Sequence, residues 1–280
     1  MSDLDARVAA ALGSKVTATR SLSGGCIADV RHLTLADGRE IVAKRGTGMA
    51  LEARMLGYLA EHSRVPVPRA LLAADDLLLM DYIAAGDAID DAAEYDAAEK
   101  IAALHSITAP TFGLSFETVI GGLAQPNARA RSWRTFFRDR RLMHMAQEAL
   151  SAKRLPESVM TRLTKLADHL DRWIADDAEP GLIHGDLWGG NILVRAGRLV
   201  GLVDPAISYA DPEFELAFTT LFNTFGKAFF ARYNELRPIA PGFFEERRDL
   251  YNLYPLLVHV RLFGGSYVSD VERILKRFGH

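Results

Sequence analysis

The sequence predicts an α+β fold of two lobes: a small N-terminal lobe built on an antiparallel sheet and a larger, mainly helical C-terminal lobe. Three observations lead there. Roughly the first 80 residues read as a short helix and then mostly strands, with an Asp37-Gly38 turn among them. Helical periods take over from Asp91 onward. One polar, glycine-rich turn, "HGDLWGGN" from His184 to Asn191, then interrupts the helical half between two apolar runs.

Taken in order, a short helix opens the chain and "VTATRSLSGG" leads into "CIADVRHLTL", where Val30, Leu33 and Leu35 are interleaved with polar residues. "IVAKR" is the return strand after the Asp37-Gly38 turn. "MALEARMLGYLAEH" places Leu51, Met55, Leu56 and Leu59 at helical spacing. "VPRALLAA" and "LLLMDYI" read as two further strands split at Asp75-Asp76, which completes a five-stranded sheet. A hinge near Ile83–Asp87 ends this lobe, giving domains of residues 1–83 and 84–280. Beyond it, "DAAEYDAAEKIAALHSI", "SWRTFFRDRRLMHMAQEALSA" and "PESVMTRLTKLADHLDRWIADD" are helical by period and start signals. The stretch "LIHGDLWGGNILV" and "RLVGLVDPA" form a small strand pair among these helices. From Pro212 the chain is helical again, broken at Pro238, Pro241 and Gly264-Gly265.

Bulk composition narrows the function. With 280 residues, 49% hydrophobic and 25% charged, the chain can bury a sizeable core. A net charge of −3 supplies no basic field for nucleic acid or an anionic membrane, and aromatic and basic residues do not interleave along one groove. The single cysteine, Cys26, excludes an internal disulfide framework and fits a reducing compartment. No signal-peptide layout opens the chain, and no apolar run reaches the length of about 20 residues that spans a bilayer, so a cytoplasmic protein is expected.

The glycine-rich turn carries the chemistry. Asp186 precedes Asn191 by five residues, and Asp204 follows Asn191 by thirteen, at the end of the next strand. A hairpin with these spacings brings the three side chains to one mouth. Phosphoryl transfer needs such a set: a carboxylate to orient the attacking hydroxyl and accept its proton, which suits Asp186, and oxygen ligands for Mg2+, which suit Asn191 and Asp204. His184 sits where its ring can brace the loop from below. A turn rich in Asp, Asn and Gly for conformational reasons alone is the plainer alternative.

His-x-Asp-x-x-x-x-Asn with a strand-end Asp resembles the catalytic apparatus of the protein-kinase-like fold, and "HGD" is similar to its aminoglycoside and choline phosphotransferase branch. Within that branch, "HGDLWGGN" with "DPA" resembles the fructosamine (ketosamine) kinases. So do "SGGCI", "LEARMLGYLA", "IGGLAQPN", "WRTFFRDRRL", "DPAISYADPEFELAFTTLF" and "LFGGSYVSDVERIL", in the same order along the chain.

The resemblance implies ATP and Mg2+, with Asp186 as catalytic carboxylate and Asn191 and Asp204 at the metal. It implies Lys44 on the α- and β-phosphates with Glu52 as its partner; helix-terminal charge compensation is the other role open to Glu52. Gly24, Gly25 and Cys26 would lie over the phosphates, and Met80, Asp81, Tyr82 and Ile83 would line the adenine. Trp188, Asp211 and Glu213 are the substrate candidates: Trp188 can stack on a sugar or amine or equally serve packing, and Asp211 and Glu213 can meet a cationic amine, although Asp211 can also cap the following helix. Glu215 is read as an anchor for the loop, and Arg138, Arg140 and Arg141 as a solvated helix face. The reaction implied is phosphorylation of the 3-hydroxyl of a fructosamine or ribulosamine, free or on a protein amine, and hence deglycation. An aminoglycoside- or choline-type phosphotransferase and a pseudokinase-like nucleotide-binding module are the alternatives. Cys26 is a candidate redox-sensitive thiol, so a monomer and a redox-linked dimer both stay open.

Overall fold

A computed structural model describes residues 2–22 and 28–280. The chain divides into two units, residues 1–97 with 190–205 and residues 98–189 with 206–280.

The first unit opens with α1 (Asp3–Leu12), whose N-terminus is closed by a capping box between Ser2 and Asp5. Strands β1 (Val16–Ser21), β2 (Asp29–Leu35) and β3 (Glu40–Arg45) follow, then α2 (Met49–His62), β4 (Ala70–Ala74) and β5 (Leu77–Asp81). The five strands form one antiparallel sheet in the order β1-β2-β3-β5-β4. Because side chains alternate across a strand, each central strand sorts its residues onto two covered faces. Ile41 and Ala43 of β3 and Leu77 and Leu79 of β5 pack with Leu4 and Val8 of α1. Val42 of β3 and Leu78 and Met80 of β5 pack instead with Met49, Ala53 and Leu56 of α2. Lys44 therefore shares the α2 face with Val42.

Residues 190–205 belong to this unit as a short 3-10 turn, Gly189–Asn191, and a two-stranded ribbon, Ile192–Arg195 paired with Arg198–Leu202. The stretch after β5 is stitched to that ribbon: the N–H groups of Gly86 and Asp87 donate to Val194 O at 3.1 and 3.2 Å, and the Asp87 carboxylate accepts Ala196 N–H at 2.6 Å.

The second unit is mainly helical, as expected after Pro212, with helices Pro212–Leu221, Lys227–Leu236, Arg248–Phe263 and Tyr267–Arg277. The apolar run before the glycine-rich turn pairs differently from the expectation of a single strand pair. Gly181–Ile183 bonds to Ser208–Ala210, beyond the segment that returns to the first unit. "IGGLAQPN" folds as a hairpin, Thr118–Ile120 with Leu123–Gln125, turned by Gly121 and Gly122 at φ 54° and 73°.

A correction concerns "WRTFFRDRRL". The helix beginning at Trp133 passes through a π-helical stretch, Phe137–Leu142. In an α-helix a row spaced by four residues drifts around the axis; the widened turn cancels that drift. Trp133, Phe137, Arg141 and Met145 consequently all stay buried, and Arg141 is not on a solvated face. No helix among the described residues is long and apolar enough to cross a membrane.

Candidate active site

In the first unit, β3 ends one residue after Lys44 and α2 begins at Met49, so Glu52 lies in the first turn of α2 on the face that Lys44 shares. Lys44 Nζ donates to Glu52 Oε2 at 2.7 Å and to Asp204 Oδ1 at 2.7 Å. Burial works against the ammonium charge, but the two carboxylates outweigh it and raise the Lys44 pKa above the ordinary lysine value. Asp204 follows the ribbon strand Arg198–Leu202 and adopts a left-handed conformation, φ 54°, which Asp tolerates better than most residues. Its side chain is 32% exposed, whereas Lys44 and Glu52 are buried. Val203 N–H donates to Asn191 O at 3.1 Å, so the residue before Asp204 is bonded to the backbone of Asn191.

Of the adenine candidates, Met80 is buried against α2 and Tyr82 packs at the edge of the same cluster. The Asp81 carboxylate lies 3.3 Å from Arg69 Nε, and Ile83 reaches the ribbon at Gly201. Gly24, Gly25 and Cys26 lie outside the described residues.

The second unit holds the Asp186 turn. His184 is fully buried, its Nδ1 accepts Asp186 N–H at 3.4 Å, and its carbonyl accepts Ala206 N–H at 2.8 Å. Gly185 between them has φ 86°, and a Cβ there would stand 2.1 Å from Ala206 O, so no other residue fits. Glu215 bonds the turn from helix Pro212–Leu221: Oε1 accepts Gly185 N–H at 2.5 Å and Oε2 accepts His184 N–H at 3.2 Å. His105 Nε2 donates to the same carboxylate at 2.8 Å, which leaves Nδ1 to accept the Tyr233 hydroxyl at 2.7 Å. Burial alone would raise the Glu215 pKa, but the hydrogen bonds from His105 and from Gly185 N–H hold it below the ordinary value.

The remaining candidates separate. Trp188 is 40% exposed on the Asp186 turn. Asp211 caps helix Pro212–Leu221 by accepting Glu213 N–H at 2.9 Å, and it accepts the Tyr251 hydroxyl at 2.7 Å. Glu213 pairs with Arg247 at 2.6 and 2.9 Å and accepts Ala240 N–H at 3.1 Å. Both carboxylates thus have internal partners.

Two contributors were not anticipated. His105 joins Glu215 across 110 residues, and no local pattern marks it. Arg141 donates to Pro126 O at 2.6 Å and Asn127 Oδ1 at 2.8 Å, with its guanidinium 4.7 Å from the Phe136 ring centre. Its position four residues after Phe137 and four before Met145 was the available signal.

Comparisons with known proteins identify the family. The fructosamine kinase family model matches residues 2–279. A Synechocystis protein named a probable ketoamine kinase is 33% identical over 278 residues, covering 94% of this chain and 90% of that protein. The probable ketoamine kinase YniA of Escherichia coli K12 is 30% identical over 273 residues, covering 91% of each. A crystal structure from Thermobifida fusca, provisionally named a fructosamine-3-kinase, superposes with a TM-score of 0.85 at 29% identity over 98% of this chain and 99% of that one. The aminoglycoside phosphotransferase APH(4)-Ia, in complex with ADP and hygromycin B, shares the fold alone, with a TM-score of 0.69 at 17% identity over 98% of each chain. From the second residue to the second-last, then, the chain belongs to the fructosamine kinase family, ATP-dependent phosphotransferases of the protein-kinase-like fold.

Proposed function

We propose that the chain transfers the γ-phosphoryl group of ATP to the 3-hydroxyl of a ketosamine, a fructosamine or ribulosamine, and so serves deglycation of amines. The ketosamine acceptor follows the family; the observation that supports phosphoryl transfer is one ammonium, Lys44 Nζ, bonded at 2.7 Å to both Glu52 and Asp204, the latter 160 residues away. A solvated strand-end lysine needs no such pair of partners. A phosphate-binding lysine does, because Glu52 fixes the direction of its N–H groups.

In this reading the Asp186 carboxylate accepts the hydroxyl proton as the sugar oxygen attacks phosphorus, and the bond to the β-phosphate oxygen breaks with ADP as leaving group. Glu215 and His184 hold the turn so that Asp186 presents its carboxylate in one place. Asn191 and Asp204 offer hard oxygen donors only, and the Asp204 carboxylate is the exposed member of its cluster, which fits Mg2+ bound jointly with phosphate oxygens. When bound, the ion neutralises charge on the β- and γ-phosphates. Trp188 stacks on the sugar, while the internal partners of Asp211 and Glu213 assign them to holding helix Pro212–Leu221.

A panel of ketosamines, aminoglycosides and choline with γ-labelled ATP tests the reading. Label on a ketosamine is the expected result; label only on another acceptor, or on none, would overturn it. Asp186→Asn should lower kcat by about 10²–10⁴ with nucleotide affinity kept, read by single-turnover kinetics and nucleotide titration.

A further inference from the structure

We propose that the strip of aromatic rings that continues from Trp188 away from the Asp186 turn, Phe222, His259 and Phe263, receives the substituent carried on the ketosamine nitrogen and favours apolar substituents. The proposal rests on the ketosamine reading above.

Among the described residues six large hydrophobic side chains are exposed, and three of them, Trp188 at 40%, Phe222 at 38% and Phe263 at 47%, fall in this one run of neighbouring rings. Trp188 and Phe222 meet edge-on with centroids 6.2 Å apart. Phe222 lies 5.1 Å from His259, which lies 5.7 Å from Phe263 and 4.9 Å from Tyr267. The rings come from separate places in the chain: the glycine-rich turn, the end of helix Pro212–Leu221, the last turns of helix Arg248–Phe263 and the start of helix Tyr267–Arg277. Only tertiary packing brings them together, and exposed apolar patches built this way mark binding surfaces.

The strip begins at Trp188, two residues beyond Asp186, within the turn that would meet the sugar. A sugar whose hydroxyl faces Asp186 must send its amine substituent out of the site, and the rings extend from the same turn into the open. Their chemistry selects what lies there. The His259 Nδ1–H donates to Pro255 O at 2.7 Å, and burial holds its pKa below the ordinary value, which favours the neutral ring. None of the four side chains carries a carboxylate to read a cation. Flat, uncharged rings reward carbon surface, either the aliphatic stem of a glycated lysine or an aromatic group.

Two fructosamines that differ only on nitrogen, N-methyl and N-benzyl, provide the test with wild type, Phe222→Ser and Phe263→Ser. Wild type should show a KM about tenfold lower for the benzyl compound, and the ratio should fall toward one in both variants. Phe263, the more exposed ring, gives a variant whose thermal transition should match wild type, so loss of selectivity there is not loss of fold. Equal KM values in wild type, or a ratio unchanged in both variants, would overturn the strip while leaving ketosamine turnover standing. Turnover of neither compound by wild type would remove the ketosamine reading and the strip with it.

Discussion

Glu215 accepts the backbone N–H of Gly185 at 2.5 Å, from a helix that begins at Pro212, well beyond the Asp186 turn. The carboxylate is buried and takes three donors, from Gly185, His184 and His105, so it ties the turn to the core. Glu215→Gln keeps the shape but loses the charge and presents an NH2 group to donors. Loss of about 3 kcal/mol in denaturant unfolding is expected, with kcat reduced more than KM for ATP. The sign of the pH effect follows from the depressed pKa. The stabilisation is complete above the ordinary Glu value of 4.5 and is lost as pH falls through the lower folded value, so the wild-type advantage should shrink in that acid range.

In the proposed reaction Lys44 would serve chemistry through the same two contacts that bear on stability. Lys44→Met leaves Glu52 buried without its cation and Asp204 without its ammonium, and unfolding free energy should drop by about 3–5 kcal/mol. Adding Glu52→Leu removes the stranded charge and should restore much of that loss without restoring turnover. Additive destabilisation in the double variant, measured by urea titration, would contradict the coupling.

Arg141 is a buried cation whose hydrogen-bond partners are two backbone carbonyls, of Pro126 and Arg140, and the Asn127 amide oxygen. Asn127 goes on to Thr118, and Gln125 bonds both Thr118 and Ala206 O, which faces Gly185. Arg141→Met should cost about 2–4 kcal/mol by orphaning Pro126 O and Asn127 Oδ1. Arg141→Lys should recover little of it, because one ammonium on a flexible stem does not reproduce the planar fork. Thermal unfolding of the pair checks this.

How much of this was legible depended on the range of the interaction. In β3 the order Ile41, Val42, Ala43, Lys44 announces two covered faces, and that alternation sends Lys44 toward α2. The His184–Asn191 turn stood out because polar residues interrupt apolar runs. The second ribbon did not, since Gly181–Ile183 pairs with Ser208–Ala210 only after residues 190–205 have returned to the first unit. Asp211 and Glu213 looked available to a substrate because Tyr251 and Arg247, which engage them, arrive from a later part of the chain. Arg141 was hidden by its charge: the sequence "RDRR" reads as solvent, and only the spacing to Phe137 and Met145 points inward.

Asp211 yields a pH effect of the opposite sign to Glu215. Burial first, and then the nearby Glu213 charge, push its pKa up from 3.8 to about 6, although the Tyr251 hydroxyl and Glu213 N–H partly offset them. The folded protein therefore binds this proton more tightly than the unfolded chain does. Stability from this group is present below pH 3.8 and declines as pH rises to about 6, above which the ionised carboxylate is carried at a constant cost. Asp211→Asn keeps a good helix cap and an acceptor for Tyr251 but has nothing to ionise. Relative to this variant, wild type should lose about 3 kcal/mol as pH rises across that interval, reckoned from the size of the shift. Parallel denaturant titrations at several pH values measure the difference directly. A difference that stays flat from pH 4 to 6 would mean that Asp211 is already ionised throughout, with Tyr251 and the helix N-terminus compensating its burial.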